Sequence, residues 1–150
     1  MPHAILRLLS EDHARLDALL EKAARPPGEI DLAAFDPFRR GLLRHIAMEE
    51  KVLLPAARRV LGEQLPDFLR LRADHGRFTL LMVPTPTRAR VEELKALLAA
   101  HNELEERDGG VYQQCVQLLG DEADEVERQM REYPEVPVRP YNDARPPKPR

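Results

Sequence analysis

Histidine and glutamate stand four residues apart twice in this sequence, at His45 and Glu49 and again at His101 and Glu105. On an α-helix that spacing puts an imidazole and a carboxylate on one face, a turn apart. Two further histidines, His13 and His75, each follow an aspartate, and each precedes one of these units along the chain. The set therefore divides into two similar halves, His13 with His45 and Glu49, and His75 with His101 and Glu105. Imidazole nitrogens and carboxylate oxygens are metal ligands, and six such groups exceed the needs of one tetrahedral ion. They suit two ions, each with two histidines and both bridged by the glutamates. Nitrogen and oxygen ligation without sulfur, and with positions left open, fits iron or manganese better than structural zinc.

Such a site needs helices that point these groups to one place. Proline and glycine divide the chain at Pro26-Pro27-Gly28, between Gly62 and Pro66, and at Pro84-Thr85-Pro86. The segments between predict helices over about 3–24, 37–61, 66–82 and 88–107, with a further helical stretch over 111–132. Asp36-Pro37 reads as an N-cap followed by proline at the first helical position, and Thr87 as the cap of the fourth helix. Pro55 should kink the second helix or end its regular part. Each helix carries an apolar stripe in steps of three and four, and each stripe contains one histidine. The stripes run through Leu9, His13 and Leu16; Leu42, His45 and Glu49; Leu71, His75 and Phe78; and Leu98, His101 and Glu105. Four histidines falling inward independently has a chance of roughly 3%, with about three positions in seven facing a core. A buried carboxylate must be protonated, paired or bound to a cation, and neither Glu49 nor Glu105 has a basic residue four positions away on its stripe. Short loops between amphipathic helices favour an all-α, up-down-up-down four-helix bundle with an extra C-terminal helical segment. The bundle is expected over residues 1–132, and the proline-rich tail, 133–150, is expected to be extended with little to bury.

Composition narrows the function. Lysine plus arginine is 23 and aspartate plus glutamate 26, a net charge of −3, which argues against nucleic-acid binding. The single cysteine, Cys115, excludes an internal disulfide and a thiolate metal site, and reads as a small buried side chain. No CxxCH motif for a c-type haem occurs. A haem held by histidine and methionine would leave two buried glutamates unexplained. The Glu-x-x-His pairs of ferritin-like carboxylate proteins are absent: the positions three before the core histidines hold Ser10, Leu42, Arg72 and Leu98. No long apolar run exists for a membrane span, and the acidic residues near the start argue against an export signal, so a cytoplasmic protein is expected.

The order of these ligands resembles that of the hemerythrin-like, or HHE cation-binding, domains over about residues 5–115. The matching segments are Glu11-Asp12-His13, His45 to Pro55 with Glu49-Glu50 inside it, Ala73-Asp74-His75, and His101 to Glu106. The resemblance implies a left-twisted four-helix bundle with a non-haem di-iron centre. His13 and His45 would bind one iron, His75 and His101 the other. Glu49 and Glu105 would bridge the two iron ions, with an oxo or hydroxo group completing the core. Manganese or zinc could occupy the same site in the isolated protein. The function implied is binding of, or reaction with, O2, NO or peroxide, in oxygen, iron or stress sensing or in detoxification. The alternative is a metal-dependent sensing or iron-storage module without catalysis.

Two departures from the family pattern bear on this. Its oxygen carriers have a second histidine four residues from the first on the third helix, where this chain has Leu71 and Thr79 on either side of His75. Open positions on both ions are then expected, and redox reactivity in place of stable oxygen carriage. After Glu106 the glycine pair Gly109-Gly110 interrupts the helix, either as a simple end or as an opening where a small ligand enters. Shifting by two residues aligns Val111-Tyr112 with Leu53-Leu54. Asp12, Glu50, Asp74 and Glu106 adjoin ligands, but helical neighbours point about 100° away, so they are expected mainly on the solvated surface. Tyr112 is within reach of the site cavity, though core packing is the favoured expectation, and His3 is not expected to be a ligand.

Overall fold

The computed structural model describes residues 3–144 and is all-helical, with no strand among them. The first long helix, α1, is Ala4–Ala24; the His3 ring accepts a hydrogen bond from the Ile5 N–H and caps it. The second begins as α2, Leu32–Met48, passes through a π-helical turn, Glu49–Leu53, and continues as α3, Leu54–Leu61. The third and fourth are α4, Phe68–Met82, and α5, Arg88–Glu106. Thr87 caps α5 by accepting from the Arg90 N–H, as its position before the helix suggested.

The second helix starts five residues earlier than the sequence reading placed it. Its cap is Asp31, whose Oδ1 accepts from the Ala33 and Ala34 N–H groups at 3.0 and 3.3 Å. Asp36 instead pairs with Arg40 within the helix. Pro37 deprives the Ala33 carbonyl of its helical partner, but both residues are exposed, where water can replace it. Pro55 acts as expected of an interior proline, through a particular device. The Leu54 N–H bonds the Glu49 carbonyl five residues back, so one extra residue enters the helix just before the proline. That insertion turns the following face, and Leu53, Leu54, Ala56 and Ala57 are buried while Val52 is only half-buried.

The four long helices contact one another in a ring: α1 meets α2 and α5, and α4 meets α5 and α2. Their stripes form two apolar clusters. One gathers Leu16, Leu20, Phe35, Phe38, Phe78 and Leu94; the other gathers Ile5, Leu9, Met48, Leu71, Leu104 and Tyr112. On every helix the histidine falls between a residue of one cluster and a residue of the other, so the polar residues form a layer between two apolar ones.

The expected helix over 111–132 is two helices. These are α6, Val111–Leu119, and α7, Ala123–Arg131, separated by a 3₁₀ turn, Gly120–Glu122. Helix α6 packs on α3, α5 and α1; α7 packs on α1 and the π-helical turn. Beyond α7, Tyr133 packs on the core, and Tyr141 stacks on Arg39 and meets Phe35. The tail to Ala144 therefore has more to bury than its composition suggested. Residues 145–150, which the sequence reading included in the tail, lie outside the described residues.

Candidate metal centre

His13 from α1, His45 from α2, Glu49 from the π-helical turn, His75 from α4, and His101 and Glu105 from α5 are all buried, each at most 5% exposed. All six residues singled out in the sequence meet in the one layer. They form two groups whose ligand atoms lie within 4.8 Å of one another: His13, His45, Glu49 and Glu105, and Glu49, His75, His101 and Glu105. Both groups contain both glutamates. His13 Nε2 and His101 Nε2 each lie 3.2 Å from Glu105 Oε1. His45 Nε2 lies 3.3 Å from Glu49 Oε2, and His75 Nε2 3.1 Å from Glu49 Oε1.

Every imidazole turns Nε2 inward because its Nδ1 is held from outside. His45 Nδ1–H donates to Asp12 at 2.7 Å and His101 Nδ1–H to Asp74 at 2.9 Å. His13 Nδ1–H donates to Glu106 and His75 Nδ1–H to Glu50, both at 2.8 Å. A carboxylate on the outer nitrogen fixes the ring and leaves the inner nitrogen its lone pair, the state a metal ligand needs. This corrects the sequence expectation for all four acids. A residue next to a ligand does point about 100° away from its own helix's stripe, but in a ring of helices that direction leads to the neighbouring helix. Asp12 thus serves α2, Asp74 serves α5, Glu50 serves α4 and Glu106 serves α1. The visible signal was the repetition itself, Asp-His twice and Glu-Glu twice.

Tyr112 fulfils both sequence readings, core packing and reach into the site. It is fully buried, and its Oη lies 2.5 Å from Glu49 Oε2, 2.9 Å from Glu105 Oε1, 3.1 Å from His13 Nε2 and 3.3 Å from His45 Nε2. The glycine pair puts it there. Gly109 has φ +72°, a left-handed conformation, and a Cβ on Gly110 would lie 2.7 Å from both the Leu104 and the Arg107 carbonyl oxygens. The tight turn that only these residues allow sends α6 back across the end of the layer. The break therefore closes this side of the site. A cavity of about 10 Å³, near the size of one water, lies on the other side, among the four histidines, Leu16, Leu42, Phe78 and Leu98. His3, as expected, is elsewhere, hydrogen-bonded to Asp124.

The donor set fits a cation. Glu49 Oε1 and His75 Nε2 are buried with no hydrogen-bond partner, although they face each other at 3.1 Å. Two electron-pair donors aimed at one dry space are costly unless something positive sits between them. Protons supply that charge when nothing else does. Burial by itself lowers the pKa of His45, but the Glu49, Asp12 and Glu105 carboxylates together outweigh it and the value is pushed up to about 10. For His101 the same contest, with burial opposed by Glu105, Glu49 and Asp74 together, ends at about 9. Burial raises Glu49, yet the His45 charge and the hydrogen bonds from His45 and His75 together hold it well below the usual carboxylate range. Tyr112 is held well above the usual phenol value, by burial and then by Glu105 and Glu49. Cys115 is pushed up to about 12, chiefly by burial, so its thiol stays protonated and takes no part.

Comparisons with family models, with curated proteins and with solved structures find no match to this chain. What the chain can do is therefore read from the layer itself. Its buried His and Glu groups could hold a metal ion, and no helix among the described residues is long and apolar enough to cross a membrane.

Proposed function

We propose that this chain is a hemerythrin-like, up-down-up-down four-helix bundle that holds two iron ions. Its function is to bind or react with a small ligand, O2, NO or peroxide. His13 and His45 hold one ion, His75 and His101 the other, and Glu49 and Glu105 bridge them. The observation that carries this reading is the sharing: two four-residue groups of buried ligands have both glutamates in common. A single-ion site does not require that. An all nitrogen and oxygen donor set favours iron or manganese over structural zinc. Bound iron would supply one-electron redox chemistry and affinity for diatomic ligands.

The protein's own residues do the rest. Asp12, Glu50, Asp74 and Glu106 keep the four imidazoles in the ligating tautomer. Leu16, Leu42, Phe78 and Leu98 form most of the apolar wall of the small cavity beside the histidines, with Asp17 and Asn102 also lining it. Leu71 and Thr79 supply no further ligand. Leu71 is buried in the apolar cluster, and Thr79 is exposed and donates to the His75 carbonyl.

Anaerobic titration with ferrous iron tests this. Binding should saturate at two ions per chain, and admission of air should produce a near-ultraviolet charge-transfer band. Saturation at one ion, or binding unaffected by Glu49→Ala, would overturn the di-iron reading.

A further inference from the structure

The two ends of the ligand layer differ in one atom. The Tyr112 Oη lies within 3.3 Å of the inward nitrogens of His13 and His45 and of an oxygen of each glutamate. The aromatic ring beside the other pair belongs to Phe78, 5.1 Å edge-on from His101 and 6.4 Å from His75, and carries no oxygen. The two atoms of the ligand layer without hydrogen-bond partners, Glu49 Oε1 and His75 Nε2, face each other beside the Phe78 ring. A phenol has one proton to donate, and two carboxylate oxygens and two imidazole nitrogens crowd this one. The oxygen thus occupies the position of a donor atom in the first group of ligands. A phenolate oxygen is a hard, anionic ligand well suited to ferric iron.

Resting on the di-iron reading, we propose that Tyr112 is itself a ligand, binding through its phenolate oxygen the ion held by His13 and His45. On binding, the O–H bond breaks, the oxygen–metal bond forms, and the proton leaves to solvent. The first ion then has five protein donors, two histidines, two glutamates and the tyrosine, and the second has four. The vacancy for an external ligand is consequently on the His75–His101 ion. This replaces the sequence expectation of equal openings on both ions. It also gives the glycine turn a purpose, since without it α6 could not carry Tyr112 into the layer.

The chain has three tyrosines and no tryptophan, so the phenolate signal is easily isolated. With ferric iron bound, the wild type should show a visible phenolate-to-iron charge-transfer band. Resonance Raman excitation in that band should enhance tyrosinate ring modes. Tyr112→Phe should bind two irons and lose both signals entirely, while Tyr133→Phe and Tyr141→Phe keep them. In the wild type alone, zinc binding should produce the ultraviolet difference spectrum of one ionised tyrosine, a readout independent of any variant's folding. With azide as the probe, the wild type should bind one anion per pair of irons and Tyr112→Phe a second. Two bound irons without enhanced ring modes would overturn the phenolate ligand and leave the di-iron reading standing. No bound iron at all would overturn both.

Discussion

His13 and His45 share their end of the buried layer with Tyr112, whereas His75 and His101 share theirs with Phe78. The pairs are otherwise built alike. In each, one histidine is held by the aspartate that precedes its partner, Asp12 for His45 and Asp74 for His101. In each, the other is held by the second residue of a Glu-Glu pair, Glu106 for His13 and Glu50 for His75. The repeat thus builds both the ligands and their supports. The difference comes from outside it, from α6. The segments that follow the two Glu-Glu pairs insert extra residues in different ways: a π-helical turn at Glu49–Leu53, and a glycine turn at 107–110. The first returns Leu53 and Leu54 to the core, the second returns Val111 and Tyr112, and only the latter pair brings an oxygen. A near-symmetric metal site can therefore acquire distinct ends from one connecting turn.

The largest effect tests what the two ends share. Glu49→Ala or Glu105→Ala removes a carboxylate common to both groups, so iron content should fall from two ions per chain to almost none. Loss of a single ion, measured by elemental analysis, would show that the glutamates are not shared. Next come the histidines, which should separate the ends. His45→Ala and His101→Ala should each cost one ion. The visible phenolate band should disappear in His45→Ala and survive in His101→Ala. Identical spectra for the two variants would erase the distinction between the ends.

The ligands were legible in the sequence and their surroundings were not, for a physical reason in each case. His13, His45, His75 and His101 sit on apolar stripes whose 3.6-residue period needs only local sequence to be seen, and the structure buries all four. The same reading found Glu49, Glu105 and the Thr87 cap. It misplaced Asp12, Glu50, Asp74 and Glu106 because their partners lie on neighbouring helices, and one helix at a time cannot show that. It left Tyr112 between core packing and the site because the tyrosine's position depends on the direction in which α6 leaves a glycine turn. Asp36-Pro37 misled for the opposite reason. A sound local signal was overridden by Asp31, which offers its side chain to two N–H groups one turn earlier.

The supporting acids should give a smaller, symmetric effect. Asp12→Asn, Asp74→Asn, Glu50→Gln and Glu106→Gln should each weaken metal affinity by about 10- to 100-fold without abolishing binding. Competition with a chelator of known affinity measures it. An unequal response, with only one end affected, would mean that the paired hydrogen bonds do not play equivalent roles. Proton competition gives a related test. His45 at about 10 and His101 at about 9 both hold a proton more tightly in the folded chain than at the ordinary value of 6.5. Their stabilisation is complete below about pH 6.5 and is lost as pH rises through 9 and then 10. Glu49, shifted down from 4.5, contributes stability above that value and loses it as pH falls through its own lowered pKa. Chelated protein should therefore melt at the highest temperature between about pH 4.5 and 6.5, and at progressively lower temperature toward pH 10. Iron-loaded protein should lack this decline above pH 6.5, because ligated imidazoles carry no proton for rising pH to remove. Parallel trends in the two forms would mean that metal and protons do not compete for the same nitrogens.

The smallest effect should come from the tail, which touches neither end of the layer. Truncation after Tyr133 removes the Tyr141 ring from Arg39, 4.5 Å away, and from Phe35. It also removes the Asp143 carboxylate that accepts from Thr85 and the Asn142 N–H that donates to the Val83 carbonyl. It retains the hydrogen bonds from Arg44 to the Met130, Arg131 and Tyr133 carbonyls, which anchor the end of α7 to α2. The cation–π contact contributes about 0.5 to 2 kcal/mol. Part of that is offset, because the Arg39 Nε is buried without a partner beneath the tail and regains water when the tail is gone. A net loss near 1 kcal/mol lowers Tm by roughly 2 to 4 °C in a chain of this size. Iron content and the phenolate band should not change. A truncated protein that melted normally but lost iron from one end would show that the tail reaches the metal centre through α2, and the difference between the two ends would then no longer rest on Tyr112 alone.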